Sequence, residues 1–202
     1  MYKKPTIEEE VIAMKYAQML VEDYEFGSWV DCIEYSNWLC VYRKDLKEHG
    51  IHIYDGCTKT VAVIDDFPWV LKADLPDYDF CKKEAENWQA AIEEGFTNYL
   101  AADYDLTVIG GVHFYIQEYA ESDVDYYNSK CYDYYHTNSE SEEEDDWGWD
   151  FDDDERVEAL IGGPQVNMFM RFCWNLDIND LHCGNFGQTL DGRTVIFDYS
   201  GY

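Results

Sequence analysis

The run Asn179-Asp180-Leu181-His182-Cys183-Gly184-Asn185, followed shortly by Val195-Ile196-Phe197-Asp198, carries two carboxylates and an amide at spacings suited to a divalent cation and phosphate oxygens. Phosphoryl transfer leaves little covalent work to a protein. One carboxylate must orient the attacking hydroxyl, while an amide oxygen and a second carboxylate hold Mg²⁺ against the phosphates. Asp180 suits the first task, and Asn185 with Asp198 the second. Between them, Gln188 to Gly192 contains Asp191-Gly192, a pair that tolerates positive φ, so a tight turn joining two short extended runs is expected. Such a hairpin would bring Asn185 and Asp198 close together at one end.

In its order and spacing this segment resembles the catalytic loop and metal-binding segment of the protein-kinase-like superfamily. The match is to the Asp-Leu-His-x-Gly-Asn form of aminoglycoside-phosphotransferase-type and compact phage-encoded members. His182 stands where typical protein kinases carry Lys, and Asp198-Tyr199-Ser200-Gly201 replaces Asp-Phe-Gly. The resemblance implies ATP and Mg²⁺ as cofactors, Asp180 as a catalytic residue, and Asn185 and Asp198 as metal ligands.

It also assigns roles upstream. Trp69-Val70-Leu71-Lys72 resembles the Val-Ala-Ile-Lys strand of kinases, whose Lys pairs with nucleotide phosphates; read alone, Lys72 is better taken as a surface lysine at a strand end. Glu84, in the helical pattern that follows, is implied as the partner that orients Lys72, with Glu86 the competing choice. Gly56, in Asp55-Gly56-Cys57, stands where a phosphate-covering loop would be, one glycine in place of a Gly-rich series. His113 to Ala120 resembles the strand leading into a kinase hinge, where the backbone of Gln117, Glu118 and Tyr119 would meet the adenine edge.

Thr6 and Glu9 form a capping-box pattern, and Ile7, Val11, Met14, Ala17 or Gln18, and Val21 predict a helical stripe ending near Gly27. A second helix is expected over 28–49. Short β-rich runs follow at 51–54, 58–65 and 69–73, then a helix over 77–95 with Phe80, Ala85, Trp88 and Ile92 on its apolar face. Residues 105–111 and 112–119 predict a hairpin turning at Gly110-Gly111. A helix start is expected over 156–161, and Pro164 suits the first turn of another reaching Leu176 with Val166, Phe169, Met170, Cys173 and Leu176 buried.

The 202 residues are 47% hydrophobic and 17% aromatic, enough to bury a core, yet 43 acidic against 14 basic side chains give a net charge of -29. That charge repels nucleic acid and anionic membranes and favours a basic partner. Glu140 to Glu155 holds eleven acidic residues interrupted by Trp147, Trp149 and Phe151, the composition of a solvated insertion that could dock onto another protein. Seven cysteines at 32, 40, 57, 81, 131, 173 and 183 lack the paired spacing of a disulfide framework or zinc site, so reduced thiols in a cytoplasm are expected. The N-terminus has no apolar signal region, and no apolar run approaches a membrane span.

The expected fold is therefore α+β and protein-kinase-like: an antiparallel small-lobe sheet with helices, and a truncated helical large lobe. The expected divisions are an N-terminal helical extension (1–50), a small lobe with hinge (51–120), a partly flexible acidic insertion (121–163) and a truncated large lobe (164–202). Four residues follow Asp198, leaving no activation segment, a truncation that the resemblance associates with phage proteins. The implied function is an ATP- and Mg²⁺-dependent phosphotransferase, acting on protein hydroxyls in the cytoplasm, of the host if phage-encoded. The alternative is an acidic DNA mimic or pseudokinase inhibitor of a basic host defence or transcription protein.

Overall fold

The computed structural model describes residues 3–24, 46–56, 58–75, 77–138 and 153–200. The fold is α+β, and the chain divides into two compact units: Met1–Glu94 with Ala102–Tyr119, and Gly95–Ala101 with Ala120–Tyr202. The second expected helix falls largely on 25–45 and most of the acidic run on 139–152, both outside the described residues. No helix among the described residues is long and apolar enough to cross a membrane.

The first unit is built on a five-stranded antiparallel sheet of order β1-β2-β3-β5-β4. Its strands are β1 (Ile51–Asp55), β2 (Lys59–Ile64), β3 (Trp69–Asp74), β4 (Asp103–Ile109) and β5 (Val112–Glu118). The central β3 pairs with β2, Val61 facing Lys72, and with β5, Lys72 facing Tyr115. Trp69 to Ala73 are all buried, as a strand flanked on both sides requires. Gly110-Gly111 makes the β4–β5 turn with positive φ at both residues.

Helix α1 (Ile7–Tyr24) starts at the expected capping box: Thr6 N donates to Glu9 Oε2 at 2.7 Å and Glu9 N to Thr6 Oγ1 at 3.2 Å. Its buried face keeps Ala17 of the expected stripe but not the residues before it. Ala13, Ala17 and Leu20 are buried, whereas Ile7, Val11 and Met14 are exposed. The alanines admit the helix backbone close to β4 and β5, which larger residues would hold away. That approach leaves no space at Gly110, where a Cβ would lie 2.6 Å from Val21 Cγ1.

Helix α2 (Phe80–Glu94) begins three residues later than the pattern predicts, because Asp77 takes a left-handed conformation with φ +71. Asp74 Oδ1 accepts the Cys81 N–H at 2.8 Å and so satisfies one of the first-turn donors. The helix buries Cys81, Glu84, Asn87, Trp88 and Ala91, a helical stripe with a carboxylate inside it.

The second unit contains α3 (Val124–Asn138), α4 (Asp153–Leu160), α5 (Val166–Asn175) and a small antiparallel sheet of order β6-β7-β8, with β6 Ala120–Glu121, β7 Phe186–Thr189 and β8 Thr194–Ile196. Helix α3 lies in the stretch expected as a partly flexible acidic insertion. Asp123 Oδ1 accepts the Tyr126 N–H at 3.0 Å at its start, and Tyr127 and Cys131 turn inward one helical turn apart. Helix α5 buries Val166, Phe169, Met170, Phe172 and Cys173, close to the expected face. Tyr99 stacks on Phe169 with ring centroids 4.4 Å apart, and Phe96 meets Phe172 at 5.1 Å.

Candidate functional site

The polar residues singled out by the sequence fall into two clusters, one in each unit. In the first, Lys72 on β3 and Glu84 on α2 form an ion pair, as the resemblance implies. Both are interior, at 2% and 0% exposure of their side chains. Lys72 is therefore no surface lysine. The competing Glu86 points outward, 3.7 Å from Lys82.

Two further charged residues join this cluster, and sequence reasoning passed over both. Lys59, the first residue of β2, donates to the other Glu84 oxygen at 2.7 Å. Asp103, the first residue of β4, accepts from Lys72 and from Gln117 Nε2, the latter at 3.0 Å. The cluster runs Lys59, Glu84, Lys72, Asp103, Gln117, two ammoniums alternating with two carboxylates. Burial opposes charge on Lys72, but Asp103 and Glu84 outweigh it and hold the ammonium well above its ordinary range. Burial pushes the Asp103 carboxyl upward, against the pull of Lys72. A signal for Asp103 was present, an acid placed directly after Leu100-Ala101-Ala102.

Gly56 closes the β1–β2 turn, its N–H donating to the Lys59 carbonyl at 2.9 Å. Glu118, which ends β5, and Tyr119 after it have their N–H groups engaged inside the unit, on Ala102 O at 2.7 Å and Pro68 O at 3.0 Å. The Glu118 side chain is buried, with Lys3 Nζ 3.4 Å from Oε1 and the Ala102 N–H 3.3 Å from Oε2.

The second cluster is held by backbone. Asp177, with φ +55, ends α5, and the chain runs on through Ile178, whose N–H returns to Cys173 O at 2.9 Å. Asn185 then folds back: its Nδ2 donates to the Asp180 carbonyl at 2.6 Å and its N–H to His182 O at 2.9 Å. That assignment of the amide nitrogen leaves Oδ1 as the group available to a cation. The His182 ring accepts the Gly184 N–H at 3.0 Å, and its Nε2 lies 3.8 Å from Asp180 Oδ2.

The expected hairpin forms. Phe186 faces Ile196 and Gln188 faces Thr194, with Leu190, Asp191 and Gly192 at the turn and φ +84 at Gly192. Asp191 is fixed by the Thr189 hydroxyl and by Arg193 Nε at 3.2 Å, and these hold its carboxyl below the usual range. At the open end Phe197 N donates to Asn185 O at 3.0 Å, which brings the backbone before Asp198 alongside Asn185. Asp198 is partly exposed and takes the Ser200 hydroxyl on Oδ1 at 3.4 Å. Arg156 braces the loop from α4, donating to Leu181 O at 2.8 Å and to Asp153 at 3.1 Å.

Among the described residues no cluster of three or more His, Cys, Asp and Glu side chains is placed to hold a metal ion. Asn185 and Asp198 instead offer one amide and one carboxylate, hard oxygen donors that suit Mg²⁺ held jointly with phosphate oxygens and water. No protein-family model matches the sequence, and a search of curated proteins gives no match either.

Proposed function

We propose that this protein is a kinase-like phosphotransferase that uses ATP and Mg²⁺ and acts on protein hydroxyl groups. The observation that carries the proposal is the interior Lys72–Glu84 pair, a strand lysine fixed by a helix glutamate, the arrangement that kinases use to hold nucleotide phosphates. The five-stranded antiparallel sheet and the hairpin that sets Asn185 beside the approach to Asp198 support it.

In this reading Lys72 binds the α and β phosphates, Glu84 positions Lys72, and Asp180 accepts or guides the hydroxyl proton. Asn185 Oδ1 and the Asp198 carboxylate hold Mg²⁺, which neutralises phosphate charge when bound. Gly56 belongs to the loop over the phosphates, and the chain at Gln117, Glu118 and Tyr119 lies beside the adenine. Because Lys72 is already shared by Glu84 and Asp103, phosphate must compete with Asp103 for it.

Calorimetric titration with ATP, with and without Mg²⁺, tests the binding. Uptake should require the metal and be lost in Asp198→Ala. Transfer from labelled ATP to protein should disappear in both Asp180→Ala and Asp198→Ala while the fold is kept; transfer that survives in both variants overturns the assignment.

The net charge of -29 favours a second reading, an acidic mimic of a nucleic-acid phosphate array that occupies the basic groove of a host defence or transcription protein. Under it, high salt and deletion of 140–155 each abolish capture of the partner, and ATP leaves the protein's melting temperature unchanged. Binding that persists after both treatments rejects it.

A further inference from the structure

Cys131 and Cys183, 52 residues apart in sequence, meet inside the second unit with their sulfurs 3.8 Å apart. Both are free thiols and both are buried, at 1% and 7% exposure. Cys131 sits on α3, and Cys183 opens the short 3₁₀ turn Cys183–Asn185 in the loop that carries Asp180 and Asn185.

The placement is held from both sides. Asp123 caps α3. On the loop, Arg156 holds Leu181, and the Asn185 N–H returns to His182. A disulfide needs sulfurs at about 2.05 Å, so the pair must close by less than 2 Å, within reach of side-chain rotation and a small shift of the loop.

We propose that Cys131 and Cys183 are a modification site that forms a reversible intramolecular disulfide with a two-electron oxidant of the hydroperoxide class. Cys183, the more exposed, attacks the O–O bond; the distal oxygen joins its sulfur as a sulfenic acid, and the remainder leaves as the alcohol. The Cys131 sulfur then attacks the Cys183 sulfur, the S–S bond forms, and hydroxide departs, taking up the proton released by Cys131 to become water. Two thiols and one hydroperoxide thus give one disulfide, one alcohol and one water, with two electrons passed from sulfur to the peroxide. A thiol reductant reverses it.

The bond would tie the loop between Asp180 and Asn185 to α3. This inference does not rest on the phosphotransfer reading, and its readout is covalent.

The test uses the full-length protein, reduced, desalted, treated with a small excess of tert-butyl hydroperoxide, then alkylated under denaturing conditions and mapped by mass spectrometry. The expected result is a linked pair of peptides carrying Cys131 and Cys183, about 2 Da lighter than their reduced sum and separated by dithiothreitol. Cys81 and Cys173, also buried free thiols, should be recovered alkylated. Recovery of Cys131 and Cys183 as alkylated thiols, their separate conversion to oxyacids, or linkage to other cysteines overturns the proposal. As a second measurement, oxidation should raise the melting temperature of the wild-type protein by several degrees and leave that of Cys131→Ser unchanged. Should that variant fail to fold, the peptide map decides alone.

Discussion

Glu84 in the first unit and Asn185 in the second are both buried polar residues drawn from motif positions, yet they are held by different physics. Glu84 is surrounded by charge: two ammoniums meet its two oxygens, and Asp103 balances the second of them. Asn185 is surrounded by backbone, giving its side-chain N–H to one carbonyl, its main-chain N–H to a second, and its own carbonyl to Phe197. The ionic cluster depends on every member, because removing one leaves an uncompensated charge away from water. The backbone-held cluster tolerates the loss of side chains that lie at its edge.

The largest expected effect therefore belongs to Glu84→Ala. It removes the carboxylate that the Lys59 and Lys72 ammoniums share, and should cost about 3–5 kcal/mol in urea unfolding followed by circular dichroism. A loss below about 1 kcal/mol would show that the cluster contributes little to the first unit.

Gly187→Ala comes next, at about 1–3 kcal/mol, because the added Cβ would lie 2.9 Å from Ala120 Cβ and 3.1 Å from Glu121 O, forcing β6 and β7 apart. Asn185→Ala should cost about 1–2 kcal/mol through the lost bond to the Asp180 carbonyl. By contrast, Asp180→Ala keeps that carbonyl and removes a partly exposed carboxylate, so its unfolding free energy should stay within about 0.5 kcal/mol of the parent. A large loss there would erase the distinction between the two clusters.

An effect of similarly small size concerns the hairpin turn. The Thr189 hydroxyl, then Arg193, hold the folded Asp191 carboxyl below its ordinary value. The stabilisation is thus present above the unfolded carboxyl's pKa, about 3.9, and lost as pH falls through the folded value. Thr189→Val should cost about 0.5 kcal/mol near neutrality, and the gap between variant and parent should narrow in acid. A gap that is constant with pH would mean that the carboxylate takes no part.

Much of this was legible in the sequence where local rules govern. The capping box at Thr6, the turn at Asp191-Gly192 and the β4–β5 turn at Gly110-Gly111 are short-range decisions made by the residues themselves. The buried face of α1 was legible only at Ala17, since choosing Ala13 over Ile7 and Val11 depends on how closely the helix meets the sheet, and hydrophobicity alone ranks those residues the other way. Lys59 and Asp103 were missed for a related reason. Each is the first residue of its strand, and only the β2–β3–β5–β4 neighbourhood makes them partners of Glu84 and Lys72. Helix α3 was hidden by the acidic stretch around it, although Asp123 ahead of Val124 is an ordinary helix start.

The seven residues Gly95–Ala101 belong with a stretch made almost a hundred residues later. Tyr99 O receives the Ile196 N–H, and Ala101 receives the hydroxyl of Tyr199 while donating its N–H to Ile196. As the ribosome delivers the chain in order, these partners stay apart until Ile196 and Tyr199 have emerged, which makes their pairing an event of high contact order. A stalled nascent chain released before residue 194 should accordingly be cut by protease around Tyr99, and the finished protein should resist the same cut.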